Sequence, residues 1–261
     1  APRAIAFDPE TLRTFQAIGR YEALEPSLLR DVAVAYFSGK GDLLARITNT
    51  DERLGFSPRG TFYQPELEAA ISDGLPNWPS LSLQRGVEVS DVCDLGNRVE
   101  LNLRHNDGRQ EQVAVRYAIA CDGGASPIRK RLGIALEDLD FDEHWLVVDA
   151  LVPDEKLAQL PQTQVQYCEA ARPSTFVVGP GNHRRWEVML LEGDSLSPDF
   201  PEEELWPLLA RWIRPGEARL WRAAAYRFHG LVAQAWRQGR ILLAGDAAHM
   251  TPPFMAQGMV G

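Results

Sequence analysis

Apolar residues change their spacing several times along this chain, and each change marks a segment. Over residues 9–18, Leu12, Phe15 and Ile18 recur at three-residue steps, which places them on one helical face. Pro9 suits the first turn of that helix, and Gly19 suits a stop just past its end. Residues 32–37 and 43–47 are β-rich runs flanking Ser38-Gly39-Lys40-Gly41-Asp42, which predicts two strands joined by a turn. A second helix opens at Gln64, with Pro65 at its first position. Residues 87–89, 98–103 and 112–117 then alternate or are rich in β-formers. Gly96-Asn97 and Asn106-Asp107-Gly108 separate them, so a small antiparallel meander is expected. Residues 117–121 form a short apolar run of the buried-strand type, followed at once by Asp122-Gly123-Gly124.

The texture changes over residues 136–230. Residues 145–151, 165–167, 175–178 and 186–190 predict strands of a second sheet, rich in aromatic side chains. One amphipathic helix is expected over 202–213, and a compact buried strand over 240–244 runs into Gly245-Asp246. The fold class is therefore mixed, α/β with α+β character. A Rossmann-like part with buried parallel-type strands (1–31, 63–135 and 231–261) interleaves with a mainly antiparallel sheet domain (32–62 and 136–230). No repeat or low-complexity tract interrupts this order.

Composition narrows the partners. With 36 acidic against 27 basic residues, the net charge of −9 repels phosphate backbones and anionic lipid. Nucleic acid and membrane are thus not expected as partners, while a homo-oligomer stays open. No apolar run approaches the roughly 18–20 residues a membrane helix needs, and residues 1–8 lack the pattern of a signal peptide. Cys93, Cys121 and Cys168 are odd in number and widely spaced, so neither a disulfide framework nor a metal pattern is legible. Free buried thiols in a reducing cytoplasm are the expectation.

Candidate chemistry concentrates at two strand ends. After residues 240–244 come Gly245-Asp246-Ala247-Ala248-His249, Pro252-Pro253 and Gln257-Gly258. Ligands of open α/β sheets bind at the carboxyl ends of strands, where Asp246 would sit. Its carboxylate can accept hydrogen bonds from sugar or ribityl hydroxyls. Small residues beside it let backbone approach a flat cofactor, and a helix start at Gln257-Gly258 would offer free N–H groups to an anionic oxygen. A plain strand–turn–helix accounts for the same residues. The other strand end reads Asp122-Gly123-Gly124-Ala125-Ser126, with Arg129 able to bridge phosphate or carboxylate.

Both motifs resemble those of the class A flavoprotein aromatic monooxygenases. The resemblance implies FAD contact by Asp246 at the ribityl chain and by Gly245, Pro253, Gln257 and Gly258 near the flavin ring. It implies a shared role for Asp122, Gly123, Ser126 and Arg129 towards FAD and NADH or NADPH. The segment from Arg59 to Glu68 resembles a family stretch whose glutamine, here Gln64, contacts the flavin side chain. Further similarity, at Pro2-Arg3-Ala4, residues 15–19, Gln64-Pro65, residues 120–126 and residues 141–149, is to the 3-(3-hydroxyphenyl)propionate hydroxylases. That implies an FAD-dependent enzyme that hydroxylates a small phenolic acid with O2 and NAD(P)H in aromatic catabolism. A related phenol, resorcinol or polyketide hydroxylase, or a silent fold remnant, are the alternatives.

The sequence departs from that family in lacking GxGxxG, the loop that wraps the FAD pyrophosphate. The expectation is a piece missing about 40–50 residues upstream and everything after the flavin loop, folding poorly and binding FAD weakly by itself. No phenol-activating base is identifiable. His249 reads as a turn residue, His105 as solvated, and His144, His183 and His229 show no partner pattern. Arg172, Arg184 and Arg185 are candidates for a substrate carboxylate, though surface ion pairs account for them equally well. Trp145, Tyr167, Phe176, Trp186 and Met189 suit either an aromatic pocket or a core.

Overall fold

The computed structural model describes residues 4–48, 52, 54–197 and 199–252. In chain order its strands are β1 (Ala6–Phe7), β2 (Leu28–Arg30), β3 (Val34–Ser38), β4 (Leu43–Ile47), β5 (Gly60–Phe62), β6 (Val87–Asp94), β7 (Val99–His105), β8 (Gln110–Val115) and β9 (Ala118–Ala120). They continue as β10 (Leu136–Leu151), β11 (Gln164–Cys168), β12 (Ser174–Val178), β13 (His183–Met189), β14 (Arg219–Ala233), β15 (Arg237–Gln238), β16 (Ile241–Leu243) and β17 (His249–Met250). The helices are α1 (Pro9–Ala17), α2 (Tyr21–Leu24), α3 (Gln64–Asp73), α4 (Pro127–Arg131), α5 (Asp154–Leu157) and α6 (Glu202–Leu209). This is the mixed α/β architecture expected. Among the described residues no helix is long and apolar enough to cross a membrane.

Two compact units divide the chain, one within residues 1–74 and 143–227, the other within 75–142 and 228–254. In the first unit, strands run in the order β14-β10-β13-β12-β11-β3-β4; β10-β13-β12-β11 and β3-β4 pair antiparallel, and β11 lies parallel to β3. Alternation sorts the faces. Leu146, Val148 and Ala150 on β10 share one face with Phe176, Val178, Trp186 and Val188, and that face buries against Leu205 and Leu209 of α6 and against Ile213. Each such fully buried apolar side chain contributes about 1.5–3 kcal/mol. Phe176 and Trp186 are fully buried core here, not pocket lining.

The same unit holds a three-stranded sheet, β1-β5-β2, with α1 and α3. Asp8 caps α1, its Oδ1 accepting from Thr11 N at 2.8 Å. Gly19 ends the turn beyond it at φ +67°. Leu12 and Phe15 bury the predicted helical face against Phe7, Leu24, Phe62 and Leu67. Residues 4–31 and 63–74, expected with the Rossmann-like part, lie in the unit that holds the large sheet. A buried hydrogen bond from Thr61 Oγ1 to Val178 O (2.7 Å) ties β5 to that sheet.

The second unit contains the meander β6-β7-β8 and a three-stranded sheet β15-β16-β9. In the latter, β16 runs parallel to β9, with Leu243 opposite Ala120. Val92, Val99 and Ile241 form one small core, and Ala120, Ala233, Leu243 and Ala248 another. β17 pairs with the last residues of β14, Val232 opposite His249.

Several expectations need correction. The amphipathic helix ends at Leu209 rather than 213; Pro207 inside it has no N–H to give the helical ladder and weakens its last turn. The fifteen-residue strand β14 was not expected; its Ala223-Ala224-Ala225 stretch favours helix locally, and strand pairing overrides that preference. The three cysteines are free but exposed rather than buried.

Candidate functional site

Two loops in the second unit carry most of the sequence candidates. β9 and β16 are adjacent and parallel, so the residues after Ala120 and after Leu243 emerge side by side at their carboxyl ends. Ala244 N donates to Ala120 O at 2.9 Å and extends the pairing into the loops. Gly123 (φ +80°) and Gly245 (φ +56°) adopt left-handed backbone, and a Cβ added at either would meet nothing within 4 Å. Asp246 lies in a short 3₁₀ turn, Gly245–Ala247, and is partly exposed.

The Asp122 loop is held from within. Asp122 Oδ1 accepts from Ser126 Oγ (2.6 Å) and Oδ2 from Ile128 N (3.1 Å). Ser126 Oγ in turn accepts from Arg129 N at 3.0 Å, capping α4. Arg129 is buried, and its guanidinium donates to Ala247 O (2.9 Å) and to Gly124 O (2.7 Å). Its fork is therefore occupied by two backbone carbonyls, one in each loop. It fastens the two strand-end loops together. Asp122, Gly123, Ser126, Arg129, Gly245 and Asp246 are thus brought together. Gln64 belongs to the other unit, where its Oε1 accepts from Ala4 N (2.9 Å) and its Nε2 donates to Glu68 Oε1 (2.6 Å). Pro253, Gln257 and Gly258 lie outside the described residues.

The first unit holds a constellation the sequence did not reveal. On the sheet face opposite the apolar core, the fully buried Asp149 of β10 gathers three basic side chains. Its Oδ1 accepts from Arg185 Nε (2.8 Å) and pairs with His183 Nε2 (2.7 Å), both on β13. Its Oδ2 accepts from Arg222 Nη2 on β14. Burial alone would raise the Asp149 carboxyl. The His183 hydrogen bond, the Arg185 and Arg222 charges and the Arg185 hydrogen bond outweigh it and hold the carboxyl at about 2. Glu187 lies 3.8 Å from Arg185; loss of water pushes its carboxyl upward against the pull of Arg185. Tyr63 meets the cluster edge-on, 5.5 Å from the His183 ring and 5.7 Å from the Trp221 ring.

The other basic candidates are spent elsewhere. Arg184 Nη1 donates to the carbonyls of Gly179, Gly181 and His183. Arg172 pairs with Asp194 and donates to Met189 O. His105, expected to be solvated, is largely buried and pairs with Glu111 at 3.0 Å. His249 is a strand residue stacked on Trp236 with ring centroids 5.2 Å apart. His183 and His229 do have acidic partners, Asp149 and Asp142.

The strand-end loops suit the ribityl portion of a flavin. They combine open space over Gly123 and Gly245 with a carboxylate at Asp246, where a ligand of such a sheet sits. A family model described as the FAD binding domain matches residues 1–260, and the chain belongs to that family. It is 36% identical over 265 residues to a probable NADH-specific resorcinol 4-hydroxylase of Rhodococcus jostii (strain RHA1), covering 99% of this chain and 49% of that protein. It is 33% identical over 259 residues to a 3-(3-hydroxy-phenyl)propionate/3-hydroxycinnamic acid hydroxylase of Burkholderia cenocepacia (strain HI2424), covering 99% and 47%. The chain spans about half the length of these curated relatives. Among solved structures, p-nitrophenol 4-monooxygenase PnpA from Pseudomonas putida DLL-E4 superposes with a TM-score of 0.84 at 20% identity, over 100% of this chain and 67% of that one. The flavin-dependent monooxygenase PieE, in complex with FAD and substrate, gives 0.84 at 18%, over 99% and 48%. At these identities the likeness is one of fold.

Proposed function

We propose that this chain belongs to an FAD-dependent aromatic hydroxylase that adds one hydroxyl to a small phenolic ring, with NAD(P)H and O2 as co-substrates, in the cytoplasm. The unit carrying the Asp122 and Asp246 loops contributes FAD contacts, and the large sheet contributes substrate contacts. One observation carries the reading: two glycine-flanked acidic loops leave adjacent parallel strands and are fastened to each other by a buried arginine.

Bound FAD supplies the redox chemistry, accepting hydride equivalents from NAD(P)H and activating O2. The chain's own residues bind and orient. Asp246 accepts hydrogen bonds from ribityl hydroxyls, and Gly245 and Gly123 let the cofactor approach the backbone. Asp122, Ser126 and Arg129 keep the two loops in register. The family resemblance adds Gln64, Pro253, Gln257 and Gly258 as candidate cofactor contacts. The similarity to a resorcinol hydroxylase and to a hydroxyphenylpropionate hydroxylase favours a meta-hydroxylated phenol as substrate.

The test uses the full-length protein. It should purify yellow and oxidise NADH faster when 3-(3-hydroxyphenyl)propionate or resorcinol is added, with a catechol-type product detected by mass spectrometry. Asp246→Ala should purify largely colourless. A yellow enzyme whose NADH oxidation ignores every meta-hydroxylated phenol would reject the substrate class. A colourless wild type that cannot be loaded with FAD would reject the whole reading.

A further inference from the structure

The Asp149 cluster contains a cation with unused donors. Arg222 is held by one nitrogen only, Nη2 on Asp149, while its side chain is 8% exposed. Its Nε and Nη1 are buried without a hydrogen-bond partner among the described residues. Trp221 Nε1 is in the same condition. Buried donors of a charged group are rarely left unmatched, because water has been removed and nothing replaces it. The surroundings fix the guanidinium. Its Cζ lies 5.3 Å from the Trp221 ring and 5.8 Å from the Tyr226 ring, and Asp149 anchors the other end of the fork.

Charge points the same way. Arg185 and Arg222 bring two full positive charges to one carboxylate, Asp149. The other acid is Glu187, 3.8 Å from Arg185. Desolvation favours its neutral form. An incoming anion would meet the donors of Arg222 that have no partner among the described residues. Tyr63 and Trp221, perpendicular at 5.7 Å, offer aromatic surface beside those donors, which suits an aromatic body carrying an oxyanion.

We infer that Arg222, anchored by Asp149 and flanked by Tyr63 and Trp221, is the receptor for an oxyanion of an aromatic ligand. Placing that ligand among the substrates rests on the hydroxylase reading. The oxyanion itself can be a carboxylate or a phenolate, and three ligands tell these apart. The FAD-loaded full-length protein is titrated by calorimetry with 3-(3-hydroxyphenyl)propionate, resorcinol and 3-phenylpropionate, as wild type and as Arg222→Met. Loss of one half of a buried charge-assisted contact should weaken binding roughly thirtyfold to several-thousandfold.

If Arg222 takes the carboxylate, both propionates weaken and resorcinol does not. If it takes the phenolate oxygen, the two phenols weaken and 3-phenylpropionate does not. Arg222→Lys guards against a merely misfolded variant: it keeps a charge on Asp149 but lacks the planar fork, so it should fold as wild type and recover only part of the affinity. Unchanged affinity for all three ligands in folded Arg222→Met would overturn the inference, as would a wild type that binds none of them. Binding of 3-phenylpropionate lost in Arg222→Met, together with no hydroxylation of either phenol, would reject the hydroxylase reading and leave the oxyanion receptor standing.

Discussion

Replacing Asp149 by Asn keeps the shape of the side chain and removes its charge. Arg185 and Arg222 are then left buried with no carboxylate between them. A fall of the carboxyl from 3.8 to about 2, at 1.36 kcal/mol per pH unit, corresponds to about 2.5 kcal/mol of stability at neutral pH. Breaking a buried ion pair by removing one partner costs about 3–5 kcal/mol, because the remaining charges are uncompensated. The expected loss at pH 7 is therefore roughly 2.5–5 kcal/mol. The native carboxyl lies below its unfolded value, so the contribution is complete well above pH 3.8 and fades as pH falls towards 2. By pH 3 about half of the 2.5 kcal/mol is gone. Urea unfolding of wild type and Asp149→Asn at pH 7, 4 and 3 measures the difference directly. A gap below about 1 kcal/mol at pH 7, or one that does not narrow between pH 4 and pH 3, would refute the assignment of Asp149 as an ionised anchor.

Gly60→Ala should be severely destabilising, because its new Cβ would lie 2.1 Å from Phe7 Cζ and 2.4 Å from the Leu29 carbonyl oxygen. A thermal midpoint within a few degrees of wild type would contradict the packing described. Arg129→Met should leave the two strand-end loops unfastened and weaken FAD on the order of tenfold or more while the meander stays folded. Flavin fluorescence titration reads this, and unchanged affinity would mean that Arg129 does not position the loops.

Legibility followed sequence distance. The Asp122 and Asp246 loops could be read because each motif is contiguous and follows a short apolar run. Their adjacency could not, since it depends on β9 pairing with β16 across more than a hundred intervening residues. For Arg129, able to bridge phosphate or carboxylate, the sequence reports a charge and not which groups its guanidinium meets. The fold shows that it donates to the carbonyls of Ala247 and Gly124. The alternation on β10 and β13 revealed strands, yet Arg185 was one of three undistinguished candidates for a carboxylate, and Asp149 and His183 showed no partner until the strands were paired. Arg222 was hidden further, inside a segment whose alanines carry no strand periodicity.

The pairing of β10 with β13 places Asp149 directly opposite Arg185. The residues flanking it on β10, Val147, Val148, Ala150 and Leu151, are largely interchangeable apolar groups, which by themselves would tolerate sliding. A slip by one position would turn Asp149 towards Trp186 and Val188, into the apolar layer with no cation to meet it. Such a misaligned sheet would bury a naked carboxylate and strand two guanidiniums on the other side. The charge at Asp149 therefore works as an alignment key during folding, penalising near-miss sheets that greasy packing alone would accept.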